Sequence, residues 1–269
     1  MTATKAQIGP ITGGVFHGCK GYTTTLYDTT PGGYFMSTNA ARISVDSFTG
    51  VVHFNISGTT AAIRYYVGSS YATKTLTCDP SPADIGNNVG VCVGSSSFLT
   101  DGTSGGTWTS TNTAIATMGT ASYSSPMPYN GVSVGLDTII YTRSNGCAVF
   151  ATVTVNALPD LSNLSLAGSN VNWVDIYSTS DEVVTLTSTT LANGTYDILC
   201  DMERPDSFVI SPIAATIVFS SGTGTFTISH SGFNPSGTHI VTLTSITNHG
   251  NGCVTTISAG NTTTFDVLP

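Results

Sequence analysis

The sequence predicts an all-β protein made of tandem β-sandwiches. Of its 269 residues, 46 are threonine and 32 are serine, whereas only 8% are charged; an ordinary soluble domain has about 25%. Glutamate occurs twice and lysine three times, so the residues that usually cover the solvent side of helices are nearly absent. Short runs rich in threonine, valine, isoleucine and aromatic residues recur between turn signals, which is typical of a sandwich.

Composition also excludes several function classes. The formal net charge is −8, so the chain lacks the basic surface that nucleic-acid binding requires. No apolar run approaches the roughly 18 residues of a membrane-spanning helix. Six widely spaced cysteines favour disulfides and an extracellular setting, with buried free thiols in a cytosolic protein as the alternative. Met1 is not followed by a secretory leader, so we expect either a removed leader or a piece of a longer protein.

An internal repeat is the strongest signal in the chain. Residues 19–43 align without a gap with residues 92–116, at an offset of 73 positions. Residues 56–65 match residues 132–141 at an offset of 76. The second copy therefore carries about three extra residues, which we place in a loop over Tyr123–Asn130. A match of this length indicates that a whole structural unit was duplicated.

Each copy has the same predicted order of elements. A hydroxyl-rich strand comes first, and an Asp-x-Thr-x-Gly-Gly segment then predicts a turn whose glycines can take positive φ. The next strand carries an aromatic residue, Phe35 or Trp108, that we assign to the core. Two alternating strands close each copy. The predicted strands are Thr23–Tyr27, Tyr34–Ser37, Ala61–Val67 and Tyr71–Thr77 in the first copy and Ser96–Thr100, Thr107–Ser110, Thr138–Arg143 and Cys147–Val155 in the second.

Proline-bearing linkers divide the chain into three modules. The segment Asp79–Pro82 ends the first and Asn156–Pro159 ends the second, because a proline after a final strand prevents its continuation. The modules are residues 1–80, 81–159 and 160–269. The third does not follow the repeat and has longer strands, which predicts a larger sandwich. Its predicted strands are Glu182–Thr190, Gly194–Asp201, Ala214–Ser220, Gly224–Ser229, His239–Thr247 and Thr262–Leu268.

The first two modules resemble bacterial Ig-like repeats. The residues that carry the resemblance are Cys92–Gly94, Gly105–Ser110, Asn112–Ala116, Asn145–Cys147 and Thr152–Asn156. More narrowly, they look like the tandem repeats of very large Bacteroidota surface proteins, including gliding-motility adhesins. The third module is similar to another module of those proteins. The resemblance implies tandem Ig-like β-sandwiches, export to the cell surface, and a stalk or adhesive fibre.

One disulfide is expected in each module, because a sandwich of this size has a thin core. The expected pairs are Cys19–Cys78, Cys92–Cys147 and Cys200–Cys253. Each would close a loop of more than 50 residues, which in the chain-entropy picture stabilises a module by roughly 4 kcal/mol. The alternative for Cys200 is a buried thiol on an alternating strand.

No catalytic constellation is predicted, and we expect no catalytic residue, metal site or cofactor. The five histidines lie in separate segments outside known catalytic motifs, so we expect them on the surface or in turns. They are His17, His53, His230, His239 and His249. Acidic side chains cluster in the third module, where we expect a solvated rim, with a Ca²⁺ site as the alternative. They are Asp175, Asp181, Glu182, Asp197, Asp201, Glu203 and Asp206.

Aromatic side chains are the candidate ligand-binding residues. We expect exposed rings at Tyr65-Tyr66, at Tyr123 with Tyr129, and at Trp173 with Tyr177. The predicted role is a non-catalytic, extracellular structural or adhesive segment of a surface fibre, whose partners are neighbouring repeats or identical subunits. Two alternatives stay open. One is a glycan- or protein-binding module that uses the loop containing Tyr123 and Tyr129, and the other is a filament subunit joined by strand complementation.

Overall fold

The computed structural model describes residues 8–86, 90–119, 126–168, 174–175, 180–257 and 261–269. Regular structure in these segments consists of 23 β-strands and one 3₁₀ turn at His230–Gly232. The all-β prediction is therefore confirmed. Within the same segments, no helix is long and apolar enough to cross a membrane.

Seven strands form the first repeat, in two sheets. One sheet has the order β1-β7-β6-β3 and the other has the order β2-β5-β4. Neighbouring strands are antiparallel, except that β1 and β7 are parallel. The strands are β1 (His17–Gly18), β2 (Thr23–Thr25), β3 (Tyr34–Ser37), β4 (Ile43–Val45), β5 (Val51–Phe54), β6 (Thr59–Val67) and β7 (Ser70–Cys78).

Alternation along these strands builds a core between the two sheets. Strand β3 turns Phe35 inward, and β6 turns Ile63 and Tyr65 inward. They join Ile43 and Phe54 from the other sheet in one cluster of buried side chains. The assignment of Phe35 to the core is confirmed, and its ring centroid lies 4.8 Å from that of Tyr65.

The second copy repeats this strand order. Its sheets are β8-β14-β13-β10 and β9-β12-β11, which correspond strand by strand to those of the first copy. Trp108 on β10 is buried beside Tyr141 on β13, as its assignment to the core requires. The strands are β8 (Gly90–Cys92), β9 (Ser96–Leu99), β10 (Thr107–Ser110), β11 (Ala116–Met118), β12 (Met127–Gly131), β13 (Gly135–Thr142) and β14 (Ala148–Asn156).

The three extra residues of the second copy lie between β11 and β12. Eight residues separate these strands, whereas five separate β4 from β5 in the first copy. The predicted loop over Tyr123–Asn130 is nevertheless wrong at its end, because Met127–Gly131 is a strand. Met127 and Tyr129 alternate inward and are buried, and β12 pairs with β9. The alternation of buried and outward residues was not predicted because prolines interrupt this segment.

The third module contains the longest strands, in two sheets of order β15-β17-β20 and β16-β23-β21-β18-β19, with β22 beside β21. Its core includes Val184, Phe219, Phe226 and Leu243. The strands are β15 (Ser165–Gly168), β16 (Val174–Asp175), β17 (Glu182–Thr187), β18 (Gly194–Glu203), β19 (Val209–Phe219), β20 (Thr223–Ile228), β21 (Gly237–Asn248), β22 (Val254–Thr256) and β23 (Thr262–Leu268).

The chain divides into two compact units that differ from the predicted modules. One unit is residues 1–89, 96–130 and 136–153, and the other is residues 90–95, 131–135 and 154–269. Every sheet nevertheless takes all of its described strands from one predicted module. The module boundaries at residues 80 and 159 stay predictions.

The disulfide pairing differs from the expected one. Cys19 is bonded to Cys147, with 5.5 Å between their Cα atoms, and Cys92 is bonded to Cys253, with 5.6 Å. Cys78 and Cys200 are free and buried. The prediction of one disulfide within each module is therefore wrong, because both bonds join residues that the sequence assigned to different modules.

Strand geometry explains why Cys92 and Cys147 do not meet. Cys92 pairs with Asn156 at the end of β14, whereas Cys147 directly precedes the start of that strand. The nine residues of β14 span about 30 Å, and a disulfide needs Cα atoms within about 7 Å. Cys78 faces the core of the first repeat and has no exposed surface.

Both observed disulfides end at the same local turn. Asn145-Gly146-Cys147 and Asn251-Gly252-Cys253 each place the middle glycine at positive φ. In each turn, the asparagine side-chain oxygen accepts a hydrogen bond of 3.0 Å from the cysteine N–H. The bonded partners, Cys19 and Cys92, are equivalent positions of the two repeats. Each repeat therefore links its first cysteine to an Asn-Gly-Cys turn further along the chain.

Candidate binding face

The predicted ligand-binding aromatics do not form an exposed group among the described residues. Tyr123, Trp173 and Tyr177 lie outside those residues. Tyr129 is fully buried on β12, and this burial raises the pKa of its hydroxyl. Tyr65 is buried as well. The expectation of exposed rings is therefore wrong for Tyr129 and Tyr65.

Tyr66, one of the predicted residues, forms a group with two further tyrosines on the outer side of the first repeat. Tyr34 on β3 is directly opposite Tyr66 on β6, which is directly opposite Tyr71 on β7. We call these three residues the tyrosine row. Tyr34 is 41% exposed and Tyr71 is 49% exposed, while Tyr66 between them is half-buried. The row thus crosses three adjacent strands on the side of the sheet that faces away from the core.

The rings of the tyrosine row contact one another. The rings of Tyr34 and Tyr66 are stacked, with centroids 5.5 Å apart and 16° between their planes. The rings of Tyr66 and Tyr71 are tilted at 48°, with centroids 5.1 Å apart. Such cross-strand aromatic pairs contribute to sheet stability. They also hold the exposed ring edges and hydroxyl groups in a fixed pattern.

Arg64 and Met36 extend this surface. They are directly opposite each other on β6 and β3, two residues along from the tyrosine row. The Arg64 guanidinium lies 4.6 Å from the centroid of Tyr71 and donates a hydrogen bond of 3.2 Å to the hydroxyl of Tyr66. This hydrogen bond raises the pKa of Arg64. The exposed Met36 completes a patch of aromatic, cationic and thioether side chains.

The Gly-Gly turn positions the first tyrosine of the row. Asp28 accepts a hydrogen bond of 2.8 Å from the N–H of Thr30, and Gly32 takes φ of 78°, as predicted for this turn. Glycine is needed at position 33, because a Cβ there would clash with the ring of Tyr65. The hydroxyl of Tyr65 accepts a hydrogen bond from the N–H of Gly33. The chain then enters β3, where alternation turns Tyr34 outward.

Tyr65 holds the same turn from the core side. Its hydroxyl donates a hydrogen bond of 2.7 Å to the carbonyl of Thr30 while accepting one of 3.1 Å from Gly33. Because Tyr65 points inward, its neighbour Tyr66 points to the opposite side of the sheet. The buried anchor and the exposed row are therefore consecutive residues of one strand.

The second repeat keeps this anchor. The Tyr141 hydroxyl accepts a hydrogen bond of 2.8 Å from Gly106 and donates one of 2.5 Å to the carbonyl of Thr103. Asp101 accepts the N–H of Thr103 at 2.6 Å, as Asp28 does in the first repeat. Gly105 takes φ of 80°. The buried scaffold is thus the same in both copies.

The outward positions of the second repeat carry no tyrosine. Thr107 replaces Tyr34 and Thr142 replaces Tyr66, and these two threonines are paired across β10 and β13. Thr109 and Ile140 occupy the positions of Met36 and Arg64 and are likewise paired. The duplicated scaffold therefore presents a row of contacting tyrosines in one copy and mainly threonine in the other, where Phe150 on β14 is the one exposed aromatic residue of the sheet.

Two polar residues of the third module are more buried than expected. The expectation that Glu182 lies on a solvated rim is wrong, because its side chain is 1% exposed. His239 was assigned to the surface or a turn, but it lies in the core against Phe265. Its Nδ1 lies 3.1 Å from the carbonyl of Gly237, and burial lowers its pKa. Both expectations are wrong because the position of each residue on its strand, rather than its polarity, decides whether its side chain is buried.

The remaining polar clusters are surface pairs. His249 Nδ1 lies 2.8 Å from Asp197, and His230 Nδ1 lies 3.1 Å from Asp181. The hydrogen bond from Thr216, followed by that of His249, lowers the pKa of Asp197. Across the segments that the structure describes, no three histidine, cysteine, aspartate or glutamate residues are grouped as a metal site would need.

The two free cysteines are buried thiols. Burial raises the pKa of Cys78, and it raises the pKa of Cys200 to about 11. Both are therefore protonated near neutral pH, and the thiolate is the reactive form. The alternative assignment of Cys200, a buried thiol on an alternating strand, is confirmed.

Comparison with known proteins gives matches to solved structures alone. No family model and no curated protein matches the chain. Similar structures include the S-layer protein rSbsC (residues 31–844), with 15% identity, a TM-score of 0.24, and coverage of 88% of this chain and 35% of that chain. A C-terminal fragment of intimin in complex with the intimin-binding domain of its translocated receptor has 15% identity, a TM-score of 0.36, and coverage of 65% and 71%.

The Yersinia pseudotuberculosis adhesin InvE is a further match. It has 11% identity, a TM-score of 0.28, and coverage of 66% of this chain and 56% of that chain. The chain spans about a third of the length of the S-layer structures that it matches. These structures are S-layer and adhesin proteins, and at such TM-scores the likeness carries no argument about function.

Proposed function

We propose that this chain is a non-catalytic structural and adhesive segment of an extracellular surface fibre or stalk, and that it binds a protein ligand through the tyrosine row with Arg64 and Met36. One observation carries the proposal. The two repeats share a scaffold to the level of single hydrogen bonds. Only the first carries a row of contacting tyrosines on the outer side of this sheet, whereas the equivalent sheet of the second has one exposed aromatic residue, Phe150. The scaffold does not need these tyrosines, because the second repeat has threonine at the equivalent positions of Tyr34 and Tyr66.

The composition of the face favours a protein ligand. Tyrosine, arginine and methionine are enriched at the centres of protein interfaces, where tyrosine and arginine supply much of the binding energy. The tyrosine row is already ordered by ring contacts and by the Arg64 hydrogen bond. Binding would therefore cost little side-chain entropy.

A glycan ligand is the alternative outcome. Sugar rings bind by stacking on open aromatic faces, whereas Tyr34 and Tyr66 turn their ring faces toward each other. The surface between these two rings is closed to a sugar. The exposed edges and hydroxyl groups suit the irregular surface of a protein better than the flat face of a pyranose.

The stapled scaffold supports the structural part of the proposal. The two disulfides close loops with sequence separations of 128 and 161 residues. In the chain-entropy picture each stabilises the fold by roughly 4–5 kcal/mol. Surface positions rich in threonine and serine carry few charges, so the stability of such faces depends little on ionic strength.

A binding experiment tests the proposal. Beads coated with the full chain are applied to a panel of immobilised extracellular proteins and, separately, to a glycan array. We expect the wild type to bind at least one protein, and the triple variant Tyr34→Thr/Tyr66→Thr/Tyr71→Thr to bind it at least about 30-fold more weakly, as expected for the loss of about 2 kcal/mol.

A matched variant controls for the loss of surface tyrosine. Tyr22→Thr/Tyr27→Thr removes two exposed tyrosines outside the tyrosine row and should leave binding unchanged. Circular dichroism checks that both variants are folded. Undiminished protein binding by the triple variant would contradict the proposal, as would a wild type that binds nothing on the panel. Binding to glycans alone would replace the protein ligand by a glycan.

A further inference from the structure

One sheet edge in the third module is far longer than the others. Strand β19 is the last strand of its sheet and has 11 residues, with β18 on one side and no described strand on the other. The end strands of the remaining sheets among the described residues have two to six residues. Proteins usually keep edge strands short, because unpaired backbone N–H and C=O groups offer a template for another chain.

Strand β19 also lacks the charges that usually protect an edge. Its sequence, VISPIAATIVF, contains no charged residue. Pro212 and a register shift opposite Cys200–Met202 interrupt its first half. The second half, Ile213–Phe219, pairs with β18 in continuous register and turns Val218 outward, 71% exposed. The open and regular part of the edge is therefore residues 213–219.

This open part is complementary to itself. Ala214-Ala215 precede Thr216 and Ile217-Val218 follow it. If two copies pair antiparallel about Thr216, each alanine lies opposite a large β-branched residue, Ala214 opposite Val218 and Ala215 opposite Ile217. No like charges meet in such a ladder. The carboxylate of Asp197 on the neighbouring strand is held by Thr216 and His249.

We propose that residues 213–219 of β19 pair antiparallel with the same residues of a second copy, with Thr216 opposite its own counterpart. The contact joins two third-module sheets into one continuous sheet. It is isologous, since the same patch serves both copies, so it closes at a dimer and does not extend into a filament. This inference is independent of the protein-binding role proposed for the tyrosine row.

Sedimentation velocity of the full chain over a concentration series tests the contact. We expect a monomer–dimer equilibrium for the wild type. Val218→Lys should raise the dimer dissociation constant at least about tenfold, because it introduces charge and removes a β-branched contact. Val209→Lys is the matched control: Val209 is 48% exposed on the same strand but lies outside the pairing. It should change the constant less than about twofold.

A cysteine variant tests the register. Directly opposed residues of antiparallel strands have Cα atoms about 4.5–5.5 Å apart, which a disulfide can span. Thr216→Cys should therefore give a covalent dimer on a non-reducing gel, and Val209→Cys should not. The free native cysteines are buried and do not compete.

Three results would overturn the inference. They are a wild type that is monomeric at every concentration, a dimer that Val218→Lys and Val209→Lys weaken equally, and a Thr216→Cys variant that does not cross-link while the wild type dimerises. Circular dichroism of each variant establishes that loss of the dimer is not loss of the fold. The tyrosine-row variants should leave the dimer intact.

Discussion

The two repeats are alike inside and different outside. In both, an inward tyrosine on the sixth strand of the sandwich holds a Gly-Gly turn through its hydroxyl, and an aromatic residue of the third strand packs against it. On the outward side, two tyrosines and an arginine of the first copy stand where the second carries two threonines and an isoleucine. The comparison therefore distinguishes the buried residues that the fold requires, which both copies share, from the surface residues, which differ between the copies.

The repeats also differ at one buried position that the shared scaffold does not fix. Asp137 in the second repeat is equivalent to Ala61 in the first, and both are buried. The Asp137 carboxylate accepts hydrogen bonds from the hydroxyls of Ser110 and Thr111 and from the N–H of Asn112. The first repeat has alanine there, and its loop is held instead by the N–H of Ala62, which donates to the hydroxyl of Thr38, and by the N–H of Thr38, which donates to the carbonyl of Ala62. Equivalent loops can thus be closed by different chemistry.

The largest effect should follow removal of the disulfides that start at the equivalent cysteines. We expect Cys19→Ser/Cys147→Ser to lower the unfolding free energy of the chain by about 4 kcal/mol or more, and Cys92→Ser/Cys253→Ser to do the same, because each bond closes a loop of over 100 residues. Chemical denaturation under non-reducing conditions measures this. Unchanged stability of either double variant would contradict the predicted contribution of the disulfide that it removes.

A smaller loss of stability is expected at a buried position where the two repeats differ. Asp137→Ala should cost about 3 kcal/mol, since it removes a buried carboxylate that accepts several part-buried hydrogen bonds. The same alanine is native at position 61 of the first repeat, so residue type alone does not predict this loss. The exposed neighbour Leu136→Ala is the control and should change stability by less than about 0.5 kcal/mol. Equal denaturation midpoints for the two variants would contradict the role of the carboxylate.

The shared anchor should respond equally in both copies. Tyr65→Phe and Tyr141→Phe each remove one hydroxyl that accepts from a glycine and donates to a threonine carbonyl. We expect each to cost about 2 kcal/mol, because a buried or part-buried N–H and a part-buried C=O lose their partner. Urea denaturation measures the two losses, and a difference above about 1 kcal/mol would show that the anchors are not equivalent.

The smallest effect on stability should come from exchanging the outer faces. Tyr34→Thr/Tyr66→Thr gives the first repeat the residues of the second, and we expect it to lower the unfolding free energy by about 1 kcal/mol or less. Thermal denaturation checks this value. A loss well above that range would mean that the tyrosine row is part of the scaffold, which would weaken its assignment as a binding face.

The sequence predicted the parts of this fold that depend on local pattern. Strands β3, β10 and β23 begin and end at the predicted residues, and the positive φ of Gly32 and Gly105 follows from the turn motif. The internal repeat predicted about three extra residues in the second copy, and three more residues separate β11 from β12 than separate β4 from β5. Hydrophobic alternation and glycine placement act over a few residues, so a sequence displays them directly.

Features that depend on strand register could not be predicted from the sequence. Tyr66 was among the candidate aromatics, but its alignment with Tyr34 and Tyr71 requires the pairing of three strands that are distant in sequence. The expected Cys92–Cys147 bond was wrong for the same reason, because these two cysteines lie at opposite ends of β14. Short strands such as β4 and β8 carried too little alternation to be predicted.

The two disulfides overlap along the chain, and this overlap limits how far the protein can be stretched. Cys92 lies inside the loop that Cys19 and Cys147 close, and Cys147 lies inside the loop that Cys92 and Cys253 close. When the chain is pulled from outside Cys19 and Cys253, the shortest segment between the two cross-links limits the extension, and this is the segment from Cys92 to Cys147, with a separation of 55 positions. Fully unfolded, that tether reaches about 190 Å, whereas the reduced chain between the same ends would reach roughly 800 Å.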